Sequence, residues 1–320
     1  MLVEVLEVGV CGTDAEIIAG RFGTAPAGQT HLVVGHEVIG RVAEAPSDSG
    51  PLAVGDLVTV MVRRAGAVTC AACGAGDFDM CRDGNTIERG ITSIDGFARQ
   101  YFRAQPSDIL TLPERLRATG VLTEPASVAA KAWETVDRII GGHSWNPRQV
   151  LVTGAGPIGL LAALLSRQRG HSTVVLERHR GAKADLVEEI GADIRHNLDE
   201  LGSDIDVAIE CTGDPHVTAH LIRQYPGAVI CLLGLPSSAG SSVDVAKLAA
   251  DLLHHNGHLF GSVNAGRRHY QDAIGVLSAA PATWLQRLIT RRVSLDAFAE
   301  AFTYQPGDIK AVIEFGAESL

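Results

Sequence analysis

The sequence predicts an α/β chain in which a mainly-β, partly barrel-like part precedes a doubly wound parallel sheet. Three observations predict it. Residues 1–130 carry short apolar stretches, several alternating, broken by glycine and proline turns. From Val150 onward, short apolar strands alternate with helical stretches, the pattern of a parallel sheet with crossover helices. At that change of texture, Val150-Leu151-Val152-Thr153 runs straight into Gly154-Ala155-Gly156-Pro157-Ile158-Gly159, and an apolar helix follows at once.

Taken in order, Leu2 to Val8 alternates as a strand, and Val33-Val34, Val38 to Val42 and Leu57 to Val62 continue the style. Pro51 and Gly55-Asp56 mark turns, and a cysteine-bearing loop covers about Arg63 to Gly90. A helix is expected from Thr123, opened by Pro125 and supported by Ala129, Ala130, Ala132 and Trp133. After the strand ending at Thr153 come a strand over Thr173 to Leu176, a helix over Ala182 to Ile190 and a strand over Ala192 to Arg195. A buried strand over Asp206 to Cys211 leads to a helix over His216 to Gln224 and a strand over Ala228 to Leu233. Leu259 to Val263 adds a sixth strand. The tail, about Thr283 to Leu320, carries a helix over Ser294 to Phe302 and a strand over Ala311 to Phe315.

Composition narrows the function. The 320 residues are 46% hydrophobic and 20% charged, as expected of a globular protein with large cores. A formal net charge of -10 without a basic run argues against nucleic acid or an anionic membrane as partner. No apolar run approaches the ~18 residues that span a bilayer. Met1 to Glu7 has two acids and no basic segment, so it does not read as a signal peptide. The six cysteines then read as thiols of a cytoplasmic protein, some of them candidates for metal binding.

The glycine motif has a physical purpose at each position. Gly154 permits a tight turn off the strand, Gly156 lets the backbone approach a pyrophosphate, and Gly159 lets helix and strand pack closely. Pro157 and Ile158 open the helix, whose free N–H groups and positive dipole end suit phosphate. Glu177 ends the second strand, where an acid binds the ribose hydroxyls of NAD and repels a 2′-phosphate. Arg178 and Arg180 follow and can accommodate that phosphate, so NAD is expected as the preferred cofactor with NADP accepted. Thr212-Gly213 and Gly234-Leu235 fall at strand C-terminal ends, where open α/β sheets bind ligands.

Three fragments carry metal-type residues: Gly9-Val10-Cys11-Gly12-Thr13-Asp14, Gly35-His36-Glu37 and Thr123-Glu124-Pro125. Each alone is ordinary, since a single cysteine is usually a small core residue. Together, ahead of a dinucleotide motif, they resemble the zinc-dependent medium-chain dehydrogenase/reductase family, close to its glucose dehydrogenase branch. Further marks are Ile87-Glu88-Arg89-Gly90-Ile91, Asp95-Gly96-Phe97, Lys131 and Glu134 after Glu124-Pro125, and Gly261-Ser262-Val263-Asn264-Ala265.

The resemblance implies a GroES-like catalytic domain over 1–136, a Rossmann domain over 137–280 and a segment over 281–320 returning to the catalytic domain. It implies a catalytic Zn²⁺ on Cys11, His36 and Glu124, with Glu37 able to approach. Thiolate, imidazole and carboxylate suit zinc, and a catalytic site keeps one position open. As a Lewis acid, the ion would favour the alkoxide of a bound hydroxyl, ready for hydride transfer to nicotinamide. Thr13 matches a hydroxyl that relays the substrate proton, Asp14 an orienting carboxylate, and Asn264 a residue near the nicotinamide. Glu88 and His269 resemble sugar contacts of the branch. In the family a second, structural zinc sits on four cysteines. Here Cys70, Cys73 and Cys81 match three, the first position is Ala67, and a lobe without its metal is the alternative; Asp77 or Asp79 is the candidate fourth ligand. Family members begin earlier, so the resemblance implies that edge strands of the catalytic domain are missing ahead of Met1, through a start placed too late or a truncated variant. The expected activity is oxidation of a sugar hydroxyl, D-glucose C1 foremost, in a dimer or tetramer. A polyol, alcohol or amino-alcohol dehydrogenase and a non-catalytic NAD-binding protein are the alternatives.

Overall fold

Leu2–Val10 is the hub of the first of two units. In the computed structural model, which describes residues 1–47, 50–66, 70–84, 86–236 and 244–316, this strand pairs antiparallel with three others. They are Glu37–Glu44, Tyr101–Arg103 and Lys310–Glu314. Leu57–Val60 and Ile109–Thr111 extend the sheet beyond Glu37–Glu44, and Ile289–Ser294 extends it beyond Lys310–Glu314. Val3, Val5, Val8, Val38, Val58 and Phe97 are among the buried side chains of its core. A three-stranded sheet of Arg63–Ala65, Thr86–Arg89 and Ser93–Ile94 stands apart from it. This unit comprises Met1–Ser127 and Asn264–Leu320.

The second unit, Val128–Val263, is a six-stranded sheet, parallel throughout. Its strand order is Asp193–Arg195, Ser172–Leu176, Gln149–Thr153, Val207–Glu210, Val229–Leu232 and His258–Gly261. The expected doubly wound sheet is therefore present, with the glycine motif following a central strand. Val150, Leu151 and Val152 are inaccessible to solvent, as befits a parallel strand covered on both faces. Helix Pro157–Gln168 follows, with Gly156 at its N-cap and Pro157 in the first turn.

Several elements differ from expectation. Residues 12–18 form a helix, Gly12–Ile18, because the Cys11 sulfur accepts from Thr13 N and Asp14 closes back on the Cys11 amide. Sulfur is not among the usual capping groups, so the sequence pattern reads as a turn. Helices Val245–His255, Arg267–Ala279 and Ala282–Leu288 also lie where no helix is expected. The expected helix over Ser294 to Phe302 is instead 3₁₀, Leu295–Phe302, interrupted at Ala297.

Gly159 illustrates how closely the glycine loop and its helix pack. A Cβ at this position would lie 1.8 Å from the Gly154 carbonyl oxygen, a backbone atom that cannot move aside. At Gly156 a Cβ meets nothing within 4 Å. Gly159→Ala is therefore expected to destabilise the fold by about 1–3 kcal/mol through overpacking, and Gly156→Ala by clearly less. Urea denaturation of both variants checks this; equal midpoints would refute the close-packing role of Gly159.

Candidate active site

The register of one strand pair assembles the centre of the site. Gly9 lies opposite Glu37 in the pairing of Leu2–Val10 with Glu37–Glu44. Cys11, two residues beyond Gly9, and His36, just before Glu37, are thereby brought together, with Cys11 Sγ 3.0 Å from His36 Nε2. Gly9 has to be small here, because an added Cβ would sit 2.2 Å from Glu37 Oε2.

Asp14, inaccessible to solvent, ties the fragments to each other. Its Oδ2 accepts from Cys11 N at 3.0 Å, and its Oδ1 accepts from Gly35 N at 3.2 Å and lies 3.3 Å from His36 Nδ1. Burial opposes charge on His36, but the Cys11 and Asp14 charges outweigh it and hold the imidazole well above its usual range. Burial likewise opposes charge on Asp14, and His36 beside it brings the carboxyl below the ordinary value. Asp14 thus fixes one ring nitrogen and directs the other, Nε2, to the sulfur. Thr13 N donates to Cys11 Sγ at 3.3 Å, and Thr13 is half-buried.

On the far side of His36 stand two acids. Glu37 Oε1 accepts from Lys310 Nζ at 2.6 Å, and the same Nζ donates to the Val10 carbonyl at 3.2 Å. Both side chains of this ion pair are almost wholly buried. Burial works against the Lys310 charge, yet Glu37 raises its pKa above the ordinary value. Glu124, in the first turn of Thr123–Ile140, is buried, and that burial pushes its carboxyl up to about 7. Ligand atoms of His36, Glu37 and Glu124 lie within 4.8 Å of one another, as do those of Cys11, Asp14 and His36.

These donors suit a zinc ion. A thiol, an imidazole nitrogen held by a carboxylate at its other nitrogen, and a buried carboxyl are the ligand types zinc takes. Two buried oxygens, Glu37 Oε2 and Thr123 Oγ1, make no hydrogen bond among the described residues. Buried polar atoms are rarely left so, and a cation beside Glu37 Oε2 would satisfy it.

Other expected contacts sit in the same unit. Glu88 Oε1 accepts from Asn264 Nδ2 and Arg63 Nε, each at 2.6 Å, and Asn264 adopts a left-handed backbone at φ 59°. His269 is buried, and its Nδ1 accepts from Gly266 N at 2.9 Å at the start of Arg267–Ala279. That contact makes His269 a helix cap. Cys70, Cys73 and Cys81 cluster with their sulfurs within 4.8 Å of one another. Ala67 lies outside the described residues. Asp77 is paired with Arg268 at 2.6 Å, and Asp79 is buried beside His269; neither belongs to the cysteine cluster.

In the second unit, Gly154 takes φ +84°, turning the chain off its strand. Glu177, buried, closes the loop: its Oε2 accepts from Ala155 N at 3.0 Å and its Oε1 from His179 N at 2.9 Å. Arg178 and Arg180 are exposed beside it. Thr212 and Gly213 are held by Glu210, which sequence reasoning missed. Glu210 Oε1 accepts from Thr153 Oγ1 at 3.1 Å, Thr212 N at 2.7 Å and Gly213 N at 3.2 Å, and from Thr212 Oγ1. Leu235 is exposed, and its carbonyl lies where a Cβ on Gly213 would fall. Gly9 and Lys310 were missed as well. The sequence signal for Glu210 and Lys310 is the same, a charged residue at the end of a strand whose interior is apolar.

Known proteins match nearly the whole length of the chain. A family profile described as "Alcohol dehydrogenase GroES-like domain" matches residues 1–114, and one described as "Glucose dehydrogenase C-terminus" matches residues 117–315. Glucose 1-dehydrogenase of Methanocella arvoryzae is 36% identical, covering 99% of this chain and 92% of that protein. The corresponding protein of Thermoproteus tenax is 37% identical over 98% and 91%. Among solved structures, Haloferax mediterranei glucose dehydrogenase in complex with NADP, Zn and gluconolactone superposes with a TM-score of 0.89. It is 32% identical, with 99% of this chain and 92% of that one covered.

The raised Glu124 carboxyl has a measurable consequence in zinc-free protein. With a folded pKa of about 7 against an ordinary 4.5, the folded state holds a proton that the unfolded state releases. Its contribution to stability is complete below the ordinary value and is lost as pH rises through the folded one. In chelator-treated protein, the denaturation midpoint of wild type relative to Glu124→Gln is expected to fall steadily across that interval. A flat difference would show that Glu124 is not buried as a neutral acid.

Proposed function

The chain belongs to the glucose dehydrogenase family of zinc-dependent medium-chain dehydrogenases, and on that premise we propose that it oxidises C1 of an aldose, D-glucose foremost, to the lactone with NAD(P)⁺. The observation that carries the reading is the meeting of two groups at His36, Cys11 with Asp14 on one hand and Glu37 with Glu124 on the other, braced by Lys310.

Bound zinc supplies a Lewis acid that lowers the pKa of a coordinated hydroxyl, and the nicotinamide supplies the hydride acceptor. Cys11 Sγ, His36 Nε2 and the Glu124 carboxylate would hold the ion, and Glu37 Oε2, which makes no hydrogen bond among the described residues, would be a further donor. Asp14 keeps the imidazole oriented. Lys310 occupies the other oxygen of Glu37 and balances part of the negative charge gathered here. Thr13 Oγ1 takes the proton of the substrate hydroxyl and passes it to solvent. Glu88 and His269 meet the sugar hydroxyls, and Asn264, which donates to Glu88 Oε1, serves the nicotinamide side.

Gly154 to Gly159 take the pyrophosphate, with Thr212, Gly213 and Leu235 beside the nucleotide. The Glu177 carboxylate favours the free 2′-hydroxyl of NAD, and Arg178 allows NADP. All six cysteines are free thiols, which fits a cytoplasmic enzyme. The assembly we expect is a dimer or tetramer, as the family resemblance implies. No helix among the described residues is long and apolar enough to cross a membrane.

A panel of aldoses, polyols and simple alcohols with both cofactors tests the reading, with glucose expected to give the highest kcat/KM. Cys11→Ala is expected to lose bound zinc and turnover together, and Asp14→Asn to lose about 10–100-fold in activity. Full turnover by Cys11→Ala would remove the metal mechanism. For the cofactor, Arg178→Ala is expected to lower kcat/KM for NADP while sparing NAD; equal losses would reassign Arg178.

A further inference from the structure

The cysteine lobe does not fit the closed four-ligand zinc that the family implies. A structural zinc site is tetrahedral and closed, with four protein donors. Here Cys70, Cys73 and Cys81 bring their sulfurs within 4.8 Å of one another, and no fourth histidine, cysteine or carboxylate among the described residues joins them. Residue 67, at the remaining position of the family spacing, is alanine and has no donor in its side chain. The nearby acids are committed: Asp77 to Arg268, and Asp79 beside the buried His269.

The three sulfurs are nevertheless arranged as a site. The turn Ala71–Gly74 sets Cys70 and Cys73 on one side, with their Sγ atoms 3.8 Å apart. Sulfurs bound to one ion at about 2.3 Å each stand roughly 3.8–4.0 Å apart, so this spacing already suits a shared ion. It is too long for a disulfide, whose S–S bond is about 2.05 Å. Cys73 is buried, whereas Cys70 and Cys81 are only partly so, which leaves a route of entry. The Arg82 amide lies 3.5 Å from Cys70 Sγ. Protons still on the thiols leave when a cation binds.

We propose that Cys70, Cys73 and Cys81 form a three-sulfur site for a soft cation of low coordination number, the cuprous ion, in place of a closed structural zinc. Thiolates select soft cations, and three donors satisfy a monovalent ion that does not demand a fourth. Cu(I) binds without change of oxidation state: three Cu–S bonds form, and protons still on the thiols leave to solvent. The proposal is independent of the dehydrogenase reading, because the lobe shares no residue with the Cys11 site.

The test is anaerobic titration of the zinc-loaded protein with Cu(I), followed by copper and zinc analysis and X-ray absorption at the copper edge. One equivalent is expected to bind with three sulfur neighbours and no nitrogen, leaving glucose oxidation unchanged. That equivalent is expected to be lost in Cys81→Ser and retained in Cys11→Ser. Ala67→Cys, which restores the fourth sulfur, is expected to convert the lobe to tight zinc binding that resists a chelator. The proposal is overturned if copper uptake survives Cys81→Ser, if wild type already holds chelator-resistant zinc in the lobe, or if the thiols are isolated as a disulfide.

Discussion

The site depends on one strand register. Because Gly9 faces Glu37 across an antiparallel pair, a cysteine just beyond one strand meets a histidine just before the other. A slip of one residue would send Glu37 to the opposite face of the sheet and separate it from Lys310. The register is protected on both sides. Apolar residues of Leu2–Val10 and Glu37–Glu44 are buried in the core, and an added Cβ at Gly9 would strike Glu37. Asp14 then reaches the two fragments at once, through the amides of Cys11 and Gly35 and the ring of His36. The cluster is thereby fastened to paired strands whose side chains lie in the core, and strands hold a site more precisely than loops do.

The nucleotide-binding unit applies the same device with different residues. Its loops are held by buried carboxylates that accept from backbone amides: Glu177 for the glycine loop, and Glu210 for Thr212 and Gly213. Each sits at the end of a parallel strand, where the chain leaves the sheet and its amides lose their ladder partners. A carboxylate satisfies several such amides together, and charged acceptors make stronger bonds than neutral ones. Glu177 thus has a structural duty whatever it does for a cofactor, and changing it would loosen the glycine loop that it closes.

Much of this was legible because it is local. The strand–glycine–helix passage is contiguous, and Cys11, His36 and Glu124 each stand beside residues that identify them. What escaped sequence reading depends on partners far along the chain. Lys310 is 273 residues from Glu37, and its role appears only once Lys310–Glu314 lies next to Leu2–Val10. The sequence did not show that His269 also caps its own helix through Nδ1. Gly12–Ile18 escaped because its cap is a sulfur that also belongs to the metal cluster. In each case the residue type was informative, and the missing fact was which neighbour it would meet.

The buried Lys310–Glu37 pair is best understood through that cluster. Removing two charges from water costs several kcal/mol per ion, and an apolar pair of similar volume is often at least as stable. Stability alone is therefore a poor reason for a lysine here. Within the site its position is chemically sensible, because Cys11, Glu37, Glu124 and Asp14 gather potential negative charge around a single histidine. Lys310 neutralises part of it and holds Glu37 Oε1, while Oε2 makes no hydrogen bond among the described residues. It also donates to the Val10 carbonyl, immediately before Cys11, so charge balance and ligand position are coupled through one ammonium group. A methionine at this position would fill the space but leave Glu37 buried without its counter-charge. The carboxylate would then have to take a proton or turn toward the metal ligands, and either change would alter the donor set.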